Sequence, residues 1–253
     1  MKSTLLDLLE RNAAAGKKQL AVLIDPDKAG ERALKSLIEK AHLAQADFFF
    51  VGGSLLTNDA IDRVLTTIRE LSAIPSILFP GAVTQLSKQA DGILLLSLIS
   101  GRNPEFLIGA HVVAAPLIKQ AGIQVLPTAY MLIDGGRPTT VSYISNTTPI
   151  PADKPDIAAC TAMAGEMLGL RLIYLDAGSG ALQPVPGAVI RSVRKNVQLP
   201  IIVGGGIRQA EEAAAAYAAG ADVVVVGNAL EEDASFLQAL SAVKRAANLH
   251  LQL

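Results

Sequence analysis

The chain has 253 residues, half of them apolar, enough to bury a sizeable core and the usual size of one α/β barrel. Its formal net charge of −1 provides no general electrostatic attraction to nucleic acid or to an anionic membrane. The single cysteine, Cys160, excludes an intramolecular disulfide and an all-cysteine metal centre; it reads as a small buried apolar residue in a protein of the reducing cytoplasm.

Residues 1–16 mix acids and bases among leucines, the pattern of an amphipathic helix and not of a signal peptide. Eight short β-rich runs follow, at 20–24, 47–51, 76–79, 92–96, 123–128, 171–176, 200–203 and 222–226. Most are continuously apolar, as parallel strands covered by helices require. Helices are expected between them at 31–46, 59–72, 83–90, 106–121, 156–168, 186–196 and 209–219, the last closed by Gly220 as a C-cap. Strict alternation leaves an open doubly wound sheet or a closed barrel. Eight units, with no GxGxxG after the first strand, favour the α/β class and a single (β/α)8 TIM barrel over residues 1–253. The longest apolar run, 93–99, is interrupted by Ser97 and is far shorter than the ~20 residues that cross a bilayer. A mean hydropathy of +0.39 nevertheless points to a buried sheet, an oligomer interface or a greasy substrate groove. The long fifth connection, with Asp134-Gly135-Gly136 and three prolines at 149, 151 and 155, reads as a lid or binding loop.

Barrel chemistry sits where strands end, so the residues after each run are the candidates. Gly204-Gly205-Gly206 after the seventh run and Gly227-Asn228 after the eighth have the form of a phosphate cup, with a helix N-terminus behind the first; the bland reading is a pair of tight turns. The sixth run gives Tyr174-Leu175-Asp176-Ala177-Gly178-Ser179-Gly180. Strand alternation puts Tyr174 and Asp176 on one face, a phenol and a carboxylate beside the cup. Such a carboxylate accepts a proton from a substrate hydroxyl, or merely caps its loop. Asp25, in Asp25-Pro26-Asp27-Lys28, is placed to hold a hard cation such as Mg²⁺, while Asp27 reads as a cap of the following helix. Ser54, after Gly52-Gly53, either assists the cation or caps a helix. Thr128 and Tyr130 are rim candidates; His42, His111 and His250 lack metal-ligand spacing.

Together these residues resemble the geranylgeranylglyceryl phosphate synthase family and its bacterial heptaprenylglyceryl relatives. The stretches that carry it run from LIDPDK (23–28) through VGGS (51–54), FPG (79–81), ISGRNPEFLIG (99–109), PTAYMLIDGG (127–136), TTVSYISNTTPIP (139–151), AGEMLGLRLIYLDAGSG (164–180) and IIVGGGIR (201–208) to VVVVGN (223–228). The segment 127–180 is the most specific. The resemblance implies a barrel that transfers a prenyl group from a polyprenyl diphosphate to a hydroxyl of sn-glycerol 1-phosphate. It implies Mg²⁺ at Asp25 and Ser54, and glycerol 1-phosphate along Tyr174, Leu175, Asp176, Ala177, Gly178, Ser179 and Gly180 and at Gly204, Gly205, Gly227 and Asn228. It implies a homo-oligomer, and a lipid product that meets a membrane only transiently. The family usually has glutamate where this chain has Asp176, and often a polar residue where it has Ala82. Two other readings stay open: a phosphosugar isomerase or lyase, and a catalytically silent phosphate- or lipid-binding barrel.

Overall fold

The computed structural model describes residues 4–58, 60–227 and 234–249. Eight parallel strands close into a barrel in chain order: β1 (Gln19–Ile24), β2 (Phe48–Val51), β3 (Ser76–Leu78), β4 (Gly92–Leu98), β5 (Gln124–Leu132), β6 (Leu172–Asp176), β7 (Ile201–Gly204) and β8 (Val223–Val226), which returns to pair with β1. The helices are α1 (Leu5–Ala14), α2 (Glu31–Leu43), α3 (Ile61–Leu71), α4 (Ala110–Ala121), α5 (Thr140–Ser145), α6 (Pro155–Met167), α7 (Gly187–Asn196), α8 (Ala210–Ala219) and α9 (Ala234–Ala247).

The strands are apolar on both faces because both faces are buried. Phe48, Phe50, Ile77, Leu94, Leu126, Leu172, Tyr174, Ile202 and Val223 fill the barrel. Their strand neighbours Phe49, Leu78, Ile93, Ile173, Leu175, Ile201 and Val224 pack outward into the helix layer. The expected N-terminal helix is α1. Thr4 and Asp7 form a capping box at its start, and Leu5 and Leu9 join the interior cluster, so α1 plugs the N-terminal end of the barrel. Gly220 closes α8 in the left-handed conformation, as its position required.

Three expectations change. Residues 83–90 form turns, not a helix. Their polar side chains are spent on local and cross-chain bonds that compete with a helical ladder: Gln85 bonds to loop backbone, Ser87 to Asp62, and Thr66 Oγ1 donates to Gln89 Oε1 at 2.7 Å. Without a helix there, Leu95, which points outward from β4, is only half-buried. The helix expected at 106–121 opens as a π-helical turn, Glu105–Gly109, before α4. Cys160 is exposed, not buried: α6 buries the stripe of Ala158, Ala159, Ala162 and Gly165, and Cys160 falls beside it. The fifth connection contains the short helix α5, and α9 follows the last strand; neither was expected as a helix.

Candidate active site

A cavity of about 1150 Å³ opens at the C-terminal ends of the strands. One end is polar, lined by Asp25, Ser54, Asp176, Ser179 and Gly205. From there it continues along β4 and α4 past Leu95, Ile93, Ala114 and Ile118, over the face left open by the missing helix. α5 closes one side through Thr140, Val141 and Ile144, so the fifth connection is a wall of the cavity.

Asp176 lies at the polar end, 6% exposed. Strand alternation sends Tyr174 and Asp176 inward together, with Leu175 packed outward. Tyr130 Oη donates to Asp176 Oδ2 at 2.5 Å, and the Gly178 amide donates to Oδ1 at 2.7 Å. Burial pushes the Asp176 carboxyl above its usual range, while these two bonds pull it down. Burial, reinforced by the Asp176 charge, holds both tyrosine phenols well above theirs. Phe79 stacks on Tyr174 with centroids 5.0 Å apart, and Tyr130 meets both rings edge-on, at 5.8 Å from Phe79 and 5.4 Å from Tyr174. The carboxylate thus stands on an aromatic floor without a cation partner among the described residues.

The glycines at the end of β7 are there for space. A Cβ on Gly204 would lie 2.6 Å from the Tyr174 hydroxyl, and one on Gly205 would lie 2.6 Å from Asp176 Oδ1, with φ +80° besides. The loop therefore brings bare backbone to the edge of the carboxylate. The amides of Arg208 and Gln209, at the N-terminus of α8, are satisfied by Glu212 at 2.6 and 3.0 Å. Two amides just before the helix expected behind the cup are thus bound by a side chain of that helix. Gly227 also lines the cavity, and among the described residues the nearest atoms to a Cβ there belong to Leu23, at 3.4 Å and beyond. Asn228 lies outside the described residues, as does His250. Ala177, Gly178, Ser179 and Gly180 form the turn after Asp176, with Ser179 and Gly180 on the cavity wall.

Asp25 and Ser54 share that cavity end. Asp25 Oδ1 accepts the Asp27 amide at 3.1 Å, and Oδ2 lies 3.4 Å from Lys28 Nζ. A Cβ on Gly53 would be 3.7 Å from Asp25 Oδ1, so the first two strand ends converge. Neither Asp27 nor Ser54 caps a helix: α2 starts from Gly30 and α3 from Ala60. Asp27 instead accepts the Thr57 amide at 2.6 Å and its hydroxyl at 2.8 Å, tying the first loop to the second. No group of three or more His, Cys, Asp or Glu is placed to hold a metal among the described residues. One carboxylate with a hydroxyl beside it suits Mg²⁺ completed by substrate phosphates and water, and not an all-protein cage.

Sequence reasoning placed Tyr130 only at the rim, whereas it is the hydrogen-bond donor to Asp176; its position two residues beyond Thr128 on the same face was the available signal. Gln85 and His111 were missed as cavity residues. His111 faces β4 with Nε2 3.3 Å from Ser97 Oγ, and burial lowers the pKa of its imidazole. Of the three histidines, His42 is exposed on α2.

A closed eight-stranded barrel with its cavity, a buried carboxylate and glycine loops at the C-terminal rim defines the class: a β/α barrel with the layout of a barrel enzyme. The chain belongs to the PcrB family, whose model matches residues 14–247. It is 55% identical over 243 residues to the geranylgeranylglyceryl phosphate synthase of Spirosoma linguale, covering 96% of this chain and 98% of that one. It is 42% identical to the geranylgeranylglyceryl phosphate synthase of Korarchaeum cryptofilum, covering 95% and 99%. The crystal structure of (S)-3-O-geranylgeranylglyceryl phosphate synthase from Thermoplasma acidophilum in complex with sn-glycerol-1-phosphate matches with a TM-score of 0.90 at 33% identity, covering 96% of this chain and 98% of that chain.

Proposed function

We propose that the chain is a prenyltransferase that moves a polyprenyl group, geranylgeranyl in the first instance, from its diphosphate to a hydroxyl of sn-glycerol 1-phosphate. Relatives bearing that synthase name over nearly the whole chain support the reading, as does the glycerol-phosphate complex of the Thermoplasma structure. The observation that carries it in this molecule is Asp176, buried and without a cation partner among the described residues, at the junction of a glycine-lined loop and an apolar groove.

In this reading the loops at Gly204, Gly205 and Gly227, with the turn from Ala177 to Gly180, take the phosphate of glycerol 1-phosphate. Asn228 belongs to the same proposed set. The substrate hydroxyl faces Asp176, whose orientation Tyr130 and Gly178 hold. The oxygen attacks the first prenyl carbon, the bond from that carbon to the diphosphate oxygen breaks, and the hydroxyl proton passes to Asp176. Asp25 and Ser54 would hold Mg²⁺, which, when bound, offsets the charge of the departing diphosphate. The prenyl tail lies over β4 between Leu95 and Ile118, and water is kept from the reacting carbon by the aromatic floor of Phe79, Tyr130 and Tyr174.

Two further parts of the reading concern assembly and place. Val112, Val113 and Leu117 on α4, and Ile157 and Met167 on α6 with Leu168 just after it, are exposed, which supports a homo-oligomer. No helix among the described residues is long and apolar enough to cross a membrane. A cytoplasmic enzyme that touches the bilayer only to exchange lipid fits that surface. Incubation with labelled sn-glycerol 1-phosphate, geranylgeranyl diphosphate and Mg²⁺ tests the activity: a labelled, solvent-extractable ether phosphate is expected, and its absence at micromolar enzyme would refute it.

A further inference from the structure

The wall between the second and third strand ends is held by a side chain that no step of the proposed reaction uses. Gln85 is 4% exposed, in the segment where β3 passes to β4 without a helix. Its Nε2 donates to the Gly53 carbonyl at 2.9 Å. Its Oε1 accepts the Gly81 amide at 3.1 Å and, more weakly, the Gly53 amide at 3.5 Å. One primary amide thus bridges the loop after β2 and the loop after β3.

Those loops meet backbone to backbone. A Cβ on Gly52, whose φ is +150°, would stand 2.2 Å from the Phe79 carbonyl oxygen. A Cβ on Gly81 would stand 2.5 Å from that of Gly53 and 2.6 Å from that of Ser54. No side chain fits within the seam, so its register depends on the backbone and on the Gln85 amide at its edge. The same seam carries Ser54 and faces Asp25 across Gly53.

We infer that Gln85 is a positioning residue for the diphosphate end of the prenyl substrate. By fixing Gly53 against Gly81 it sets where Ser54 stands relative to Asp25, and it leaves the glycerol-phosphate cradle on β6, β7 and β8 untouched. This rests on the prenyl-transfer reading. A buried amide network of this kind is costly to break, because its backbone donors and acceptor are left without partners.

The test separates the two substrates by calorimetry. Gln85→Met keeps the length of the side chain and removes its donor and acceptor. The expected result is a folded protein by circular dichroism, glycerol 1-phosphate affinity within about twofold of the parent, and an affinity for an unreactive thiolo analogue of geranylgeranyl diphosphate weaker by about tenfold or more. Gln85→Glu, which keeps an acceptor but cannot donate to Gly53, serves if the methionine variant fails to fold, with the same selective loss expected. Unchanged affinity for the analogue, or an equal loss for both ligands, would overturn the inference. A parent protein that binds neither ligand would instead overturn the prenyl-transfer reading itself.

Discussion

At the N-terminal end of the barrel, Asp47, Asp91 and Asp222 each stand just before a strand and accept an amide at the start of the preceding one: Leu20 at 2.8 Å, Ser76 at 2.8 Å and Ile201 at 2.9 Å. Two of them also meet cations, Asp47 with Lys244 at 2.8 Å and Asp222 with Arg194 at 3.1 Å and Lys18 at 3.5 Å. At the C-terminal end Asp176 is buried like Asp222 and more deeply than Asp47 or Asp91, yet its partners among the described residues are a phenol and one amide, and its carboxyl is raised by burial. The same residue type fastens strands at one end and is held in reserve at the other. A buried acid supplied with cations explains itself; one left without a cation needs a substrate to explain it.

Exchanging the acids for amides breaks this comparison or sharpens it. Asp176→Asn should reduce turnover by ~10²–10⁴-fold, the usual worth of a positioned base, with glycerol 1-phosphate affinity retained in calorimetry. Its thermal stability should be at least that of the parent, since a desolvated charge is removed. Asp222→Asn should do the reverse, losing about 2 kcal/mol of unfolding free energy in urea while the folded enzyme turns over normally. Next in size, Asp25→Asn should raise the Mg²⁺ concentration for half-maximal rate by about tenfold, a shift read by titration, and spare glycerol 1-phosphate binding. Gly227→Ala should weaken glycerol 1-phosphate several-fold with no loss of stability, because its Cβ meets only ordinary contacts among the described residues.

The smallest effect is in the pH dependence. A raised carboxyl binds protons more readily folded than unfolded, so it favours the fold at low pH. That contribution is lost as pH climbs from the ordinary value of 3.8 through the raised one. Asp176→Asn should therefore gain stability over the parent across that window and show no difference below it. The rate of the parent should fall as pH drops through the same raised value, because a protonated Asp176 cannot accept the hydroxyl proton.

Much of this was legible in the residues. Apolar runs with helical stretches between them gave the barrel, because strands buried on both faces and strict alternation admit few folds. That Asp25, Ser54, Asp176, Gly205 and Gly227 would lie at one rim was legible because strand ends in barrels are where loops meet ligands. What was not legible depended on long-range bonds. Gln85 lies in a stretch read as a helix, and only its reach to Gly53 and Gly81 reveals the turn. Tyr130 and Asp176 are 46 positions apart, and their contact follows from the β5–β6 register, which no local pattern encodes. Cys160 was misjudged because a helix of alanines gives little amphipathic contrast to say which side is inward.

The central claim is that the C-terminal rim, and not the acid-tied opposite end, takes the substrate. A crystal structure of this chain with sn-glycerol 1-phosphate tests it most directly. The expected result is a phosphate against the backbone of Gly204, Gly205 and Gly227, with a hydroxyl within hydrogen-bond reach of Asp176. A phosphate bound away from these loops, or a glycerol turned so that no hydroxyl approaches Asp176, would contradict it.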